Sequence, residues 1–473
     1  MTAPHLECDY LIIGSGAVGM AFADVIFHES KARILIVDRH GAPGGHWNDA
    51  YPFVRLHQPS AYYGVNSRQL GGDSKDASPL NLGMCERASA AEILAYYEAV
   101  MLEFLATDRV SYFPLNNVSG DEASGFLFSS LMTGEQHTVS VAKKVVDTSF
   151  LNTAVPSTHP PKYAVAPGLK CVPPNELLKV KTPPSGYVVV GAGKTGIDAC
   201  LWLLENRVSP DLITWIMPRD SWFLNRANVQ PGMDNFAKSI GGMAHQMRAV
   251  AQADTVDQVL TELEAHDQLV RLDRSVQPGM FHAAVVSHAE LAALREIKKI
   301  VRMGRIIRIE PNQIVLQHGS VPTDAQQLFV DCSASAVESR AAVPVFQGKK
   351  IVPQFVRQYQ PTFSAALIAH IELTQPADDA FKNKLCAVVP LPDTPVSWLT
   401  MQAASMANMY RWSKVKGLSA WISASRLDGF SRLTEEVDEG DSEKIAMLEM
   451  FGENVMIATG KFPVLVALAS VQA

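Results

Sequence analysis

Apolar positions near the N-terminus come in short unbroken blocks rather than in alternation. Tyr10-Leu-Ile-Ile13 and the stretch from Arg33 to Val37 are such blocks, and each predicts a strand buried on both faces. Between them GSGAVG (14–19) opens a helical stretch to about His28, and Asp38 ends the second strand. GAPGGHW (41–47) is a Gly/Pro-rich loop, and a long irregular stretch, 48–87, follows it. Loops of that length in a compact protein are usually functional. Ser89-Ala-Ala-Glu92 is a capping box, and Ile93, Tyr97, Val100, Met101 and Phe104 give the helix behind it an apolar side. Residues 110–147 alternate and turn at Thr133-Gly134, which predicts a β-meander ending in Lys144–Ser149.

Residues 156–184 hold eight of the 28 prolines and cannot form a helix interior or a central strand. They read as a domain boundary. The opening plan then repeats. Tyr187–Val190 is a strand, GAGKTG (191–196) a Gly-rich turn, Ile197–Glu205 a helix and Leu212–Met217 the next strand. A helical insertion is expected over 234–275. A second capping box, Ser287-His-Ala-Glu290, predicts a helix that stops at Gly304. Strands are expected at 305–309 and 313–317, and the unit closes on 328–333. Each copy thus starts strand–GxGxxG–helix and finishes on an apolar strand ending Val-Asp-x-Ser. Beyond about residue 386 the sequence is helix-prone, with Trp398, Trp412, Trp421, Met401, Met406 and Met409; Glu435 to Glu443 reads as a solvated loop.

Composition narrows the class. A chain of 473 residues suggests about three domains. An apolar fraction of 47% makes disorder a poor account of it. With 41 Lys+Arg against 48 Asp+Glu the formal charge is −7, which argues against a general nucleic-acid binder. The six cysteines, Cys8, Cys85, Cys171, Cys200, Cys332 and Cys386, are scattered and form no CxxC pair. No zinc ribbon, iron–sulfur cluster or local redox disulfide is expected, no metal site is expected, and the reading is a reducing, cytoplasmic compartment. No basic n-region precedes the first strand. The apolar run Phe462–Val471 falls short of the roughly 18 residues of a membrane span, so none is expected.

The first Gly turn has the context that gives GxGxxG meaning: a strand before, a helix after and an acid about 20 residues on. Gly14 allows the tight turn, Gly16 lets backbone approach a pyrophosphate, and Gly19 lets helix and sheet pack closely. The helix start supplies N–H groups to phosphates, and Asp38 is placed for ribose hydroxyls. In the second copy Gly191, Gly193 and Gly196 play these parts. Gly193-Lys194-Thr195 imitates a Walker A tail, but position 188 is Val where that motif needs Gly. The second strand here ends Met217-Pro218-Arg219 without an acid; Arg219 can pair with a 2′-phosphate, which points to NADP over NAD.

With these residues in view, the chain resembles the two-dinucleotide-binding-domain flavoproteins, and most the flavin-containing monooxygenase branch. The resemblance spans roughly residues 8–370. It rests on GSGAVG with Asp38, on Gly44-Gly45-His46-Trp47, on GAGKTGID (191–198) and on Arg219-Asp220-Ser221-Trp222. It departs from that pattern at Asp147-Thr148-Ser149 and Cys332-Ser333-Ala334, where the family often has Ala-Thr-Gly, and in a linker reduced to His159-Pro-Pro-Lys-Tyr163. Pro278–His282 occupies the region where Baeyer–Villiger relatives carry a catalytic Arg, which weighs against that outcome.

The resemblance implies an α/β fold of two Rossmann-like dinucleotide-binding domains, for FAD and NADP, with a β-meander and a C-terminal helical segment. The expected division is 1–165 for the first part of the FAD domain, 180–335 for the NADP domain, 336–385 for the return to the FAD domain, and 386–473 for a helical segment serving as substrate lid or homodimer contact. FAD would be held by Gly14, Ser15, Gly16, Ala17, Gly19, Asp38, Arg39, Gly45, His46, Trp47, Gln360 and Thr362. NADP would be held by Gly191, Gly193, Lys194, Thr195, Gly196 and Arg219. Similar enzymes reduce FAD with NADPH and form a peroxide adduct at flavin C(4a), and they place an amide side chain near the flavin. Gln58 is the first candidate here, His57 the second and Asn66 the third. The expected partners are a small organic substrate and oxygen. The alternative is a dehydrogenase, oxidase or electron-transfer reductase on the same scaffold, without oxygen insertion.

Overall fold

In the computed structural model, which describes residues 4–121, 125–334, 337–338, 340–376 and 378–472, the two N-terminal apolar blocks lie side by side. The strand His5–Ile13 pairs in parallel with Ile34–Val37 on one side and with Gln136–Asp147 on the other. Val110–Phe113 extends the sheet beyond Ile34–Val37, and Lys350–Ile351 comes back from late in the chain to pair with Gln136–Asp147. Asn116–Asp121 and Gly125–Ser130 add an antiparallel pair to the same sheet. Every residue of Ile34–Val37 is buried, so the strand is continuously aliphatic instead of alternating. The helix Ala17–Glu29 packs against the helix Pro361–Thr374. Phe22 and Ile26 of the first and Phe363 and Leu367 of the second belong to one buried core.

A second sheet is fully parallel, in the order Lys299–Val301, Ile213–Ile216, Tyr187–Val190, Leu328–Asp331, Lys170–Val172. Its last strand lies inside the proline-rich stretch. There it takes an edge, where missing N–H donors cost least. The helix Lys194–Glu205 follows the second Gly turn. A three-stranded sheet, Leu269–Val270, Ser221–Asn225, Met280–Val286, carries the helical insertion Phe236–Gln252 and Val256–Ala265. The fold is therefore α/β, with two sheets built on parallel strands, in each of which a Gly turn leads from a strand into a helix.

One expectation needs correction. The helix opened by the second capping box ends at Leu294, not Gly304. Lys299-Ile300-Val301 leaves it to become the edge strand beside Ile213–Ile216, where β-branched side chains pack against the sheet. At the C-terminus, Ser442–Gln472 is a single helix. Over Ser442–Ser470 it is long and apolar enough to cross a membrane by length and composition, with a mean hydropathy of 1.2 in its most apolar window. Its Ala, Val, Leu, Ile, Met and Phe residues give that mean although Gly, Thr, Asn and Lys interrupt them. Ala458, Phe462 and Leu465 face the protein, while Met456, Ile457, Val464 and Leu468 are exposed.

The stretch 48–87 contains one 3-10 turn, Ser60–Tyr62, and is held by side chains from elsewhere. Arg226, with no side-chain exposure, donates from Nε to the His57 carbonyl at 3.2 Å, from Nη1 to Asn81 Oδ1 at 3.2 Å, and from Nη2 to Glu290 at 2.5 Å and the Val285 carbonyl at 3.2 Å. Ser287 Oγ donates to the Leu80 carbonyl at 2.6 Å, and Gln230 Oε1 accepts from Cys85 N at 2.7 Å. Arg87 reaches Glu290 from the other side at 3.4 Å. Truncating Arg226 would strand Glu290 and three acceptors at this seam. We expect Arg226→Ala to lose about 3–5 kcal/mol in chemical denaturation and to open 48–87 to proteases; a loss under about 1 kcal/mol would show the seam is held elsewhere.

Candidate functional site

The first Gly turn is shaped by contacts that only glycine allows. Gly14 sits at φ +101°, and a Cβ there would lie 2.5 Å from Thr148 Oγ1. A Cβ on Gly19 would lie 2.0 Å from the Gly14 carbonyl, so helix and strand meet with no room for a side chain. Gly45 approaches Gly16 so closely that its Cβ would fall 2.8 Å from Gly16 Cα. The Gly-Gly-His-Trp loop is thus seated on the first turn, and Trp47 Nε1 donates to Tyr63 Oη at 2.8 Å.

These elements wall a cavity of about 990 Å³. Gly14, Gly16, Ala17, Asp38 and Arg39 line one part, and Gly45, His46 and Trp47 another. Asn116 and Asn117 from the β-hairpin and Phe355 and Pro361 from the returning chain complete it. Ser15 stands behind this wall: its N–H and Oγ donate to Asp38 Oδ2 at 2.5 and 2.8 Å. Burial opposes ionisation of Asp38, but the bonds from His40 and Ser15 outweigh it and lower its pKa. His40 bridges Asp38 (Nδ1, 3.0 Å) and Asp49 (Nε2, 2.9 Å), and the Asp38 bond raises its pKa. His46 is the opposite case. Burial pushes it down to about 4, which keeps it a neutral imidazole on the cavity wall.

Gln360 and Thr362 flank Pro361 at the start of a helix whose first turn abuts the cavity. Gln360 Nε2 donates to the Leu427 carbonyl at 3.1 Å. Gln360 Oε1 and Thr362 Oγ1 are buried without a partner among the described residues. Unpaired buried polar atoms at a helix N-terminus call for a ligand.

Gln58, His57 and Asn66 do not line this cavity. Asn66 Oδ1 accepts from Ser425 Oγ of the C-terminal segment at 2.8 Å. Gln58 is half-buried. Burial, then the charges of Lys194, Arg226 and Arg87, hold His57 well below the imidazole range. The His57 carbonyl accepts from Arg226 Nε, which ties this residue to the second unit.

At the second turn Gly191 has φ +123°, and a Cβ on Gly196 would lie 2.2 Å from the Gly191 carbonyl. A Cβ on Gly193 would meet nothing within 4 Å, so the middle of this turn faces open space. Lys194 is ion-paired with Asp198, which also accepts from Tyr51 Oη at 2.7 Å. Thr195 also bears on the Tyr51 hydroxyl. Arg219 is exposed at the end of its strand. Its neighbour Asp220 is bound by Arg302 at 2.8 and 3.0 Å, which offsets the one acid beside Arg219.

Sequence reasoning missed the residues that complete this arrangement. His40 carried a signal, since a histidine two residues after a strand-end Asp can fold back on it. Arg226, Glu290 and Arg87 carried none, because their meeting depends on how the two units dock.

No family model matches the chain. Proteins of Mycobacterium bovis and Mycobacterium tuberculosis, each described as uncharacterized, are 46% identical to it over 453 residues, covering 95% of this chain and 82% of theirs. Among solved structures, a mutant flavin monooxygenase from Stenotrophomonas maltophilia is 14% identical, covering 80% of this chain and 99% of that one, with a TM-score of 0.48. Cyclohexanone monooxygenase in an open form is 12% identical over 95% and 98% of the two chains, with a TM-score of 0.49. By the extent and level of the first match, the chain belongs to one family with these mycobacterial proteins.

Proposed function

We propose that the protein is an FAD-dependent, NADPH-using monooxygenase that oxygenates a small organic substrate. The observation that carries this reading is the 990 Å³ cavity that begins at the first Gly turn and Asp38 and reaches Trp47, Phe355 and Pro361. It joins a phosphate-binding turn to a helix start bearing two unpaired buried polar atoms, Gln360 Oε1 and Thr362 Oγ1. FAD fits both ends. Gly14 and Gly16 would take its diphosphate, Asp38 its ribose, and the Gln360–Thr362 turn the polar edge of its ring. The cavity is at the upper end of the usual range for small-molecule sites.

Bound flavin would supply the redox and oxygen chemistry. The chain's own part is placement. The partial positive charge at the start of Pro361–Thr374 favours negative charge on the ring edge it faces. Trp47 and Phe355 line the same cavity and would help keep water from the ring. The open second turn and exposed Arg219 would bind the nicotinamide nucleotide across the seam from His57.

The decisive experiment follows oxygen uptake and NADPH oxidation together on the purified yellow protein, with labelled oxygen traced into product. Label in the product supports the reading. NADPH oxidation that is indifferent to oxygen but responds to an electron carrier would replace it with the reductase alternative.

Two further outcomes follow from named residues. Arg219→Ala should raise the KM for NADPH about tenfold or more and leave that for NADH nearly unchanged, since a charged hydrogen bond to phosphate contributes about 1.5–3 kcal/mol. An equal loss for both nucleotides would remove Arg219 from the 2′-phosphate.

The pKa of His40 is raised in the folded protein, so its contribution is complete below the unfolded value of 6.5 and lost as pH rises through the raised value. The Tm of the wild type should therefore fall between pH 6.5 and the alkaline side more steeply than that of His40→Gln. Parallel profiles would show that His40 does not couple the Asp38 turn to pH.

A further inference from the structure

The second Gly turn is open at Gly193, yet its two longer side chains are already engaged. Lys194 is ion-paired with Asp198, four residues on along the same helix, and the two side chains are only 10% and 12% exposed. Lys194 takes Asp198 Oδ1, and the Tyr51 hydroxyl donates to Oδ2 at 2.7 Å. Tyr51 is buried in the core of the first unit. Its burial and the nearby carboxylate hold its pKa well above the usual phenol value, so it remains an O–H donor.

The loop around Tyr51 is fastened to the second unit at further points. Phe53 packs against the cores of both units and stacks on Trp202 of the helix Lys194–Glu205, with ring centroids 5.0 Å apart and planes at 24°. Asn175 Nδ2 donates to the Asp49 and Ala50 carbonyls at 3.2 Å each. Of these contacts, the Tyr51–Asp198–Lys194 chain alone runs into the Gly turn itself.

A lysine in such a turn is the natural partner for a phosphate. Here that exchange would leave Asp198 with one hydroxyl donor and set an uncompensated carboxylate in a helix whose N-terminus faces the phosphate. With Lys194 kept on Asp198, the side chains of the turn are neutral, and a phosphate meets the N–H groups of the helix start. We infer that Tyr51, Asp198 and Lys194 are positioning residues that latch the second Gly turn to the first unit, and that Lys194 serves by neutralising Asp198 and not by pairing with a nucleotide phosphate. The nucleotide rests on the reading above; the latch does not.

The test uses the FAD-loaded protein and the variants Tyr51→Phe, Lys194→Met and Lys194→Met/Asp198→Asn. NADP affinity is read by equilibrium dialysis, and flavin reduction by anaerobic mixing with saturating NADPH. The latch is read by hydrogen exchange at Val54, whose N–H is bonded to the Tyr51 carbonyl at 3.0 Å. Lys194→Met should weaken NADP about tenfold or more, because Asp198 is left unpaired, and the double variant should return to within about threefold of wild type. A double variant still weaker by about tenfold or more would make Lys194 a phosphate ligand and overturn the inference. Tyr51→Phe should keep NADP affinity within about twofold, yet slow flavin reduction about tenfold and speed exchange at Val54 about tenfold. Reduction and exchange at wild-type rates would overturn the latch. If the wild type binds no NADP, the nucleotide reading falls, and exchange at Val54 decides alone: about tenfold faster in Tyr51→Phe upholds the latch, and no change removes it.

Discussion

Long irregular backbone cannot be buried unless each N–H and C=O finds a partner, and that constraint organises this molecule. Residues 48–87 satisfy part of this themselves, with Ser60 N bonded to the Glu86 carbonyl and Asp76 N to that of Met84, and take the rest from outside. Asn175 Nδ2 takes the Asp49 and Ala50 carbonyls, and Arg226 takes that of His57. Arg426 takes the carbonyls of Ala61, Tyr63 and Arg68. The first three groups are held from the second unit or the stretch leading to it, and the last three from the C-terminal segment. The loop is thus a shared surface on which three parts of the chain converge. The stretch before the second unit, the second unit and the helical tail each contribute donors to it.

The guanidinium of Arg226 is the most demanding of these groups. A charge with no solvent exposure must be paired and fully bonded. Glu290 provides the charge and, on its other oxygen, meets Arg87. Glu290 also closes the capping box as the third residue of the helix, accepting from Ser287 N at 2.9 Å. One carboxylate therefore caps a helix, neutralises two arginines and sits at the seam. Burial works against its ionisation, and the two guanidiniums more than offset that and keep its pKa low.

What the sequence made legible follows the range of the interactions. Both Gly turns, their strands and the capping boxes at Ser89 and Ser287 are local, and the residues that form them are neighbours in the chain. Asp38 and the Gly-Gly-His-Trp loop were legible for the same reason. Gln58, His57 and Asn66 were harder, because a loop without periodicity carries no signal about the direction of its side chains. The partners that hold His57 and Asn66, Arg226 and Ser425, are distant in sequence. The helix ending at Leu294 was misjudged because Lys299–Val301 has an apolar content compatible with either helix or strand; pairing with Ile213–Ile216 decided it.

The two nucleotide turns are alike in backbone and unlike in surroundings. The first is closed over by residues from four separate stretches, including Gly45, Asn116, Thr148 and Pro361. The second has open space at Gly193 and an exposed cation at Arg219. Enclosure slows exchange, since many contacts must break before a ligand can leave, and affinity differences reside mostly in that off-rate. A resident group suits the first turn and a group that comes and goes suits the second. The proposed function, a flavin that remains bound while a nicotinamide nucleotide turns over, would need that asymmetry. The fold provides it by returning its late segment to the first sheet, next to Gln136–Asp147, rather than to the second.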